Sequence, residues 1–260
     1  MNKCIKLLSL IILSLSVYFI YLNTENKVLN ILVIGDNYSQ GINSYGIKEY
    51  SYIDYTLEEL ETNKEIKLKK YITKDQSITN TLNYIKLTSD IKGYLKDAHI
   101  LILNIGYNDL IYKLSIKEYN QTNNNIYNEI SNDYNNLLQE IRKYYKREII
   151  VIGYPLYKDT SINTSIIKLN NILNNDNISY IDTNKILSNR EKYFSNPHNN
   201  YPNRNGYLEL SKEIIRKTLE KQENIWYINN AFNYYDKEIV MAEGEIVWKK
   251  IYIQKLKIVQ

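Results

Sequence analysis

The chain is poor in the residues that most metal, redox and thiol chemistry requires: among 260 residues there are one cysteine, two histidines, three prolines and eight glycines. The single cysteine, Cys4, precedes an N-terminal apolar run, so it can form neither an internal disulfide nor a cysteine-based metal site. With only His99 and His198 available, zinc would have to be held largely by carboxylates, and no ligand spacing suggests such a site. No cofactor motif is present, and we expect neither metal nor cofactor. Dense basic runs are also missing. The net charge of +4 comes from scattered lysines, so nothing in the sequence tracks a phosphate backbone and no nucleic-acid partner is expected. The 27 tyrosines against three phenylalanines read as compositional bias, without functional weight.

What is present begins with an uncharged apolar run of about 16 residues, Leu7 to Leu22, preceded by Lys3 and Lys6. It is a targeting segment, slightly short of the ~20 residues that span a bilayer comfortably. Tyr18, Phe19, Tyr21 and Leu22 crowd the place where a small-residue cleavage site would sit, so we read an uncleaved single-pass anchor in the cell membrane. The early lysines should stay in the cytoplasm and the rest of the chain outside. A cleaved signal peptide, leaving a secreted protein, is the alternative.

Beyond a short polar linker, Thr24 to Lys27, buried β-branched runs alternate with segments of helical period. Ile31 to Ile34, Ile100 to Ile105, Ile149 to Ile152 and Ile178 to Ile181 read as buried strands. Ile66, Leu68 and Lys70 alternate with lysines on the other parity and read as a half-exposed edge strand. Ile53, Leu57 and Leu60 share one helical face, as do Tyr134, Leu138, Ile141 and Tyr145, and Leu208, Ser211, Ile215 and Leu219. The Asn-rich stretch Lys117 to Asn132 reads as a long loop entering a helix. The expected fold is α/β, a three-layer doubly wound parallel sheet of flavodoxin-like order 2-1-3-4-5, with ligands bound beyond the carboxyl ends of the strands. We divide the chain into 1–28, anchor and linker; 29–222, the α/β domain; and 223–260, an extension in which a hairpin around Gly244 is one reading, while Lys249 to Val259 fits strand or helix.

Gly35, Gly106 and Gly153 each close a predicted strand, where the chain must turn over the sheet. The first turn reads Gly35-Asp36-Asn37-Tyr38-Ser39, the third Gly106-Tyr107-Asn108-Asp109, and a later loop Tyr201-Pro202-Asn203-Arg204-Asn205-Gly206-Tyr207. In this order and after these strands, the motifs resemble the SGNH, or GDSL, hydrolase family over about residues 29–222. The resemblance implies a nucleophilic serine in a Gly-Asp-Ser turn, an oxyanion-binding asparagine in Gly-x-Asn-Asp, and an Asp-x-x-His pair before Pro-Asn-x-x-Gly-Tyr. Here Asn37 stands at the serine position, His198 at the aspartate and Tyr201 at the histidine, so all three catalytic positions are changed. The glycine of the family's second motif is missing from Thr73 to Ser77. Asn108 retains its family identity.

A carboxamide cannot carry an acyl group, and a phenol with an ordinary pKa near 10 is a poor base. The expectation is a pseudoenzyme that binds or scaffolds, with Asn37, Gly106, Asn108 and Tyr201 as binding residues. Asp36 is expected to brace the turn. The partners to expect are the membrane, through the N-terminal segment, and an acyl or carbohydrate ligand or an envelope protein. One alternative is an active esterase in which Ser39 has become the nucleophile and His198 the base; another is a purely structural interaction protein.

Overall fold

The computed structural model describes residues 28–61, 65–72, 76–116, 124–158, 160–176, 178–196, 198–220, 235–242 and 245–252. The N-terminal apolar run lies outside them, and among the described residues no helix is long and apolar enough to cross a membrane. The chain divides into two units, one ending at Ile215 and the other beginning at Arg216.

In the first unit, five parallel strands form one sheet in the order β2-β1-β3-β4-β5. They are β1 (Val28–Gly35), β2 (Glu65–Ile72), β3 (Ile100–Asn104), β4 (Ile149–Ile152) and β5 (Ser179–Ile181). The helices are α1 (Tyr52–Leu60), α2 (Ile78–Leu87), α3 (Ser89–Asp97), α4 (Tyr107–Ile116), α5 (Asn124–Tyr144), α6 (Asn163–Leu173), the short α7 (Thr183–Ile186) and α8 (Arg190–Tyr193), and α9 (Arg204–Glu220). This is the doubly wound α/β fold expected.

Strand pleating explains why the central strands are apolar throughout. Successive side chains point to opposite faces, and both faces are covered. From β1, Leu32 and Ile34 enter one core, with Leu101 and Leu103 of β3, Ile149 and Val151 of β4, and residues of α2, α3, α5 and α6. Ile31 and Val33 enter the other, with Ile100, Ile102, Ile150 and Ile152, under Tyr52 and Ile53 of α1 and Tyr207, Leu210 and Ile214 of α9. Among the described residues the edge strand β2 pairs with β1 alone, and its side chains are accordingly exposed or half-buried.

Local signals start the helices. Ser51 and Asp54 form a reciprocal capping box at α1. Ser77 caps α2 by accepting from the Asn80 amide.

One expectation fails. Residues 124–132, read as loop, are helical, because α5 begins at Asn124. Ile126, Tyr127 and Ile130 fall on its buried face at helical spacing, and their burial outweighs the poor helix propensity of the surrounding asparagines. In the second unit, β6 (Tyr235–Ala242) and β7 (Glu245–Tyr252) pair antiparallel, so the hairpin reading holds and Lys249 to Tyr252 are strand; residues 253–260 lie outside the described residues.

Candidate functional site

The sheet register brings the glycine turns together. Gly35 is paired with Asn104, the last residue of β3, and the Asp36 amide continues the ladder by donating to the Asn104 carbonyl at 3.2 Å. The following turn is tight: the Gln40 amide donates to the Asn37 carbonyl at 3.1 Å and the Gly41 amide to that of Tyr38 at 3.2 Å. Gly35 is required here, since a Cβ would lie 2.0 Å from Ser39 Oγ. Gly106 has φ +124°, in the left-handed region, and a Cβ on it would meet Leu169 at 3.3 Å.

Asn37 is half-buried just past the end of β1, and its Nδ2 donates to the Tyr201 hydroxyl at 3.4 Å. Asn37 of the first glycine turn and Tyr201 of the late loop therefore meet, across 164 positions of sequence. Tyr201 is held by backbone and ring. Its amide donates to Asn199 Oδ1 at 2.9 Å, Ser44 Oγ donates to its carbonyl at 2.9 Å, and its ring stacks on Tyr38 with centroids 4.7 Å apart. Burial raises its phenol pKa above 10, against the opposing hydrogen bond from Asn37. Its phenol is therefore a weaker acid than a free tyrosine's, and the phenolate that could act as a base is scarcer still near neutrality.

His198 does not join them. Its backbone donates to Asn196 Oδ1 at 3.0 Å and the residue is exposed. Ser39 is buried instead. Its hydroxyl lies 2.6 Å from the Tyr52 hydroxyl and donates to Asn104 Oδ1 at 3.3 Å. The Ser39 and His198 dyad is thus not assembled, because Ser39 points back into the fold, where it ties the turn to α1 and β3.

Asn108 is half-buried, and its Nδ2 donates to the Gln76 carbonyl at 3.0 Å, so one of its amide protons ties the β3 turn to the start of α2. Next to it, the buried Asp109 accepts from the Ile78 amide at 2.9 Å, at the positive end of α2; burial nevertheless lifts its carboxyl to about 6.

Asp36 is buried beneath the turn. One carboxylate oxygen accepts from the Tyr38 amide at 3.1 Å and the other from the Tyr154 hydroxyl at 2.6 Å. Desolvation outweighs both bonds and pushes the carboxyl up to about 7. The bracing role expected for Asp36 is what these contacts describe.

The feature missed in the sequence is the tyrosine cluster. Tyr38 contacts Tyr154 edge-on at 5.2 Å and Tyr107 at 6.1 Å, Tyr107 and Tyr154 lie 5.3 Å apart, and the Tyr107 and Tyr157 hydroxyls are 2.7 Å apart. Each of these tyrosines follows a strand-closing glycine within four residues, a signal that was hidden by the overall abundance of tyrosine.

No family model matches the chain, and no curated protein matches it. Solved structures do. The lipase Lip_vut3 from a goat rumen metagenome is 20% identical, with a TM-score of 0.58, covering 73% of this chain and 97% of its own. Axe2, an acetylxylan esterase from Geobacillus stearothermophilus solved as a catalytic mutant, is 14% identical, with a TM-score of 0.55, covering 73% of this chain and 94% of its own. The five-stranded parallel sheet in the order 2-1-3-4-5, with its covering helices, is a flavodoxin-like α/β fold, shared with this lipase and this acetylxylan esterase.

Proposed function

We propose that this chain is a catalytically inactive relative of the SGNH hydrolases, held at the cell membrane by its N-terminal segment and kept for binding or scaffolding at the cell envelope. The observation that carries the reading is the contact between the Asn37 carboxamide and the Tyr201 phenol, at the positions of nucleophile and base. Neither group does the work of the residue it replaces. The amide nitrogen is not nucleophilic, and the phenol, raised above its ordinary pKa, cannot take a proton near neutrality. In the neighbour Axe2, alanine variants of a serine, an aspartate and a histidine are described as catalytic mutants, the three residue types that this crevice replaces. By the resemblance, Asn108 and the turn amides stand where the hydrolases bind an oxyanion, so an acyl or carbohydrate ester group is the ligand chemistry we favour.

The test is hydrolysis of p-nitrophenyl acetate by the purified chain, with fluorophosphonate labelling alongside. No turnover above a triad-deleted background and no labelled serine are expected. Labelling of Ser39, with turnover abolished by Ser39→Ala, would overturn the proposal. The triple variant Asn37→Ser, His198→Asp, Tyr201→His should gain measurable hydrolysis.

A further inference from the structure

A parallel sheet has two unlike ends, and this chain uses them differently. The crevice lies where the strands finish. The tether leaves where they start, because β1 opens at Val28, some five residues after the apolar run Leu7 to Leu22. Five residues span at most ~17 Å, so the starting end of the sheet is kept close to whatever the apolar run enters.

That end carries a basic patch. Helices α3 and α5 both run down to it, since each is followed directly by a strand, β3 or β4. Lys92 and Lys96 of α3 each sit 5.9 Å from the ring of Tyr144 at the end of α5. Arg147, just past α5, donates to the Ala98 carbonyl at 2.5 Å, which ties to α3 the end of α5 that carries Arg142 and Lys143 and is followed by Lys146. The patch adjoins the tether exit: Asn30, in β1, donates through its amide to His99 Nδ1 at 3.0 Å and through Nδ2 to the Asp97 carbonyl at 3.1 Å. Six cations stand there against Asp97, Glu140 and Glu148, of which Glu140 pairs with Lys143 at 2.6 Å, while Glu65 lies in register with Val28 on the neighbouring edge strand. Helix carboxyl ends attract cations on their own account. The helix dipole does not account for Lys146 and Arg147, beyond the helix, or for two helices pooling their charge beside the tether.

We infer that this basic end is a docking surface for an anionic lipid bilayer, which sets the domain upright with its crevice facing away from the membrane. The inference rests on the anchored reading proposed above. Lysine and arginine side chains held at an anionic surface are attracted to it, and a domain already tethered at that point needs only such attraction to be oriented. Eight residues of β1 then lift the crevice about 26 Å from the headgroups. The ligand of such a crevice is a group carried on a hydrated molecule of the envelope, not one buried in the anchoring bilayer.

The experiment reconstitutes the full chain, with Cys4→Ser, into phosphatidylcholine vesicles with and without phosphatidylglycerol and containing a headgroup-quencher lipid. A fluorophore is placed at Gly93→Cys, where a side chain meets open space within the patch, or at Tyr45→Cys, an exposed site on the loop that binds the Tyr201 carbonyl through Ser44. Quenching at position 93 is expected in anionic vesicles only, lost in high salt and in the Lys96→Glu, Lys146→Glu variant, with none at position 45. Equal quenching at the two sites, or quenching at 93 indifferent to lipid charge and salt, would overturn the inference while leaving the anchor intact. A full chain that fails to float with vesicles of either kind would remove the anchor as well. The salt series on the unsubstituted patch separates these outcomes even where the charge-reversed variant folds poorly.

Discussion

Replacing Asp36 by asparagine should change how stability depends on pH more than it changes stability itself. Burial lifts the Asp36 carboxyl from 3.8 to about 7. An acid whose pKa is raised by folding holds its proton more tightly in the folded state. Its contribution is therefore fully present below about pH 4 and is lost progressively as pH climbs through 7. A rise of about three units at 1.36 kcal/mol each amounts to a loss on the order of 4 kcal/mol between those limits. Asparagine preserves the geometry, because its Oδ1 accepts from the Tyr38 amide and its Nδ2 donates to the Tyr154 hydroxyl, but it cannot ionise. Urea denaturation of both proteins from pH 4.5 to pH 8 gives the comparison. The wild type should lose ground to Asp36→Asn steadily across the interval. Asp109, lifted to about 6, adds a dependence of the same sign to both proteins and cancels in the difference. Two curves that stay parallel would refute the reasoning, since they would mean that Asp36 is solvated or has found a cation in the folded protein.

Two further substitutions probe the same turn. Tyr52→Phe removes the hydroxyl shared by Ser39 and Asn104 and should cost about 1 kcal/mol in urea denaturation, because Ser39 still donates to Asn104. Gly35→Ala drives a methyl into Ser39 and should cost about 1–3 kcal/mol, with part of the loss recovered in the double variant with Ser39→Gly.

The sheet was legible because burial on both faces forces an unbroken apolar run, as in Ile100 to Leu103, while the one-sided edge strand must alternate, as in Ile66 to Lys70. Periodicity of that kind survives any bias in composition. The start of α5 was not legible, because its first turns are written in asparagine and only Ile126, Tyr127 and Ile130 mark the buried face. Within the site, the motifs singled out Asn37 and Tyr201 separately, and the contact between them became visible only in the fold, where the late loop before α9 returns over the turn after β1. The burial of Ser39 did not follow from the motifs. It depends on which way one side chain turns over Gly35, and that is decided by Tyr52, a helix residue with no motif of its own. The tyrosine cluster escaped notice for a different reason: in a chain with 27 tyrosines, five in one crevice carry no statistical signal until the fold brings them together.

Asn37 and Tyr201 are chemically consistent with one another, which bears on what the proposed substitutions would do if the alignment with the hydrolases is right. Asn37 donates to Tyr201, and Tyr201 stacks on Tyr38, which packs in turn on Tyr154 and Tyr107. Asn37→Ser alone would supply a hydroxyl facing a phenol of raised pKa, with no group to take its proton, so it should remain inert. Adding Tyr201→His supplies that group, but an imidazole needs its second nitrogen held if the right tautomer is to face the serine. His198→Asp could hold it only if the loop from residue 198 to 201 turns inward from its exposed position. Activity should therefore appear at the second substitution, weakly, and rise at the third to the extent that this loop reorganises. A third step that adds nothing would place the obstacle in the backbone of that loop and not in the identity of its side chains.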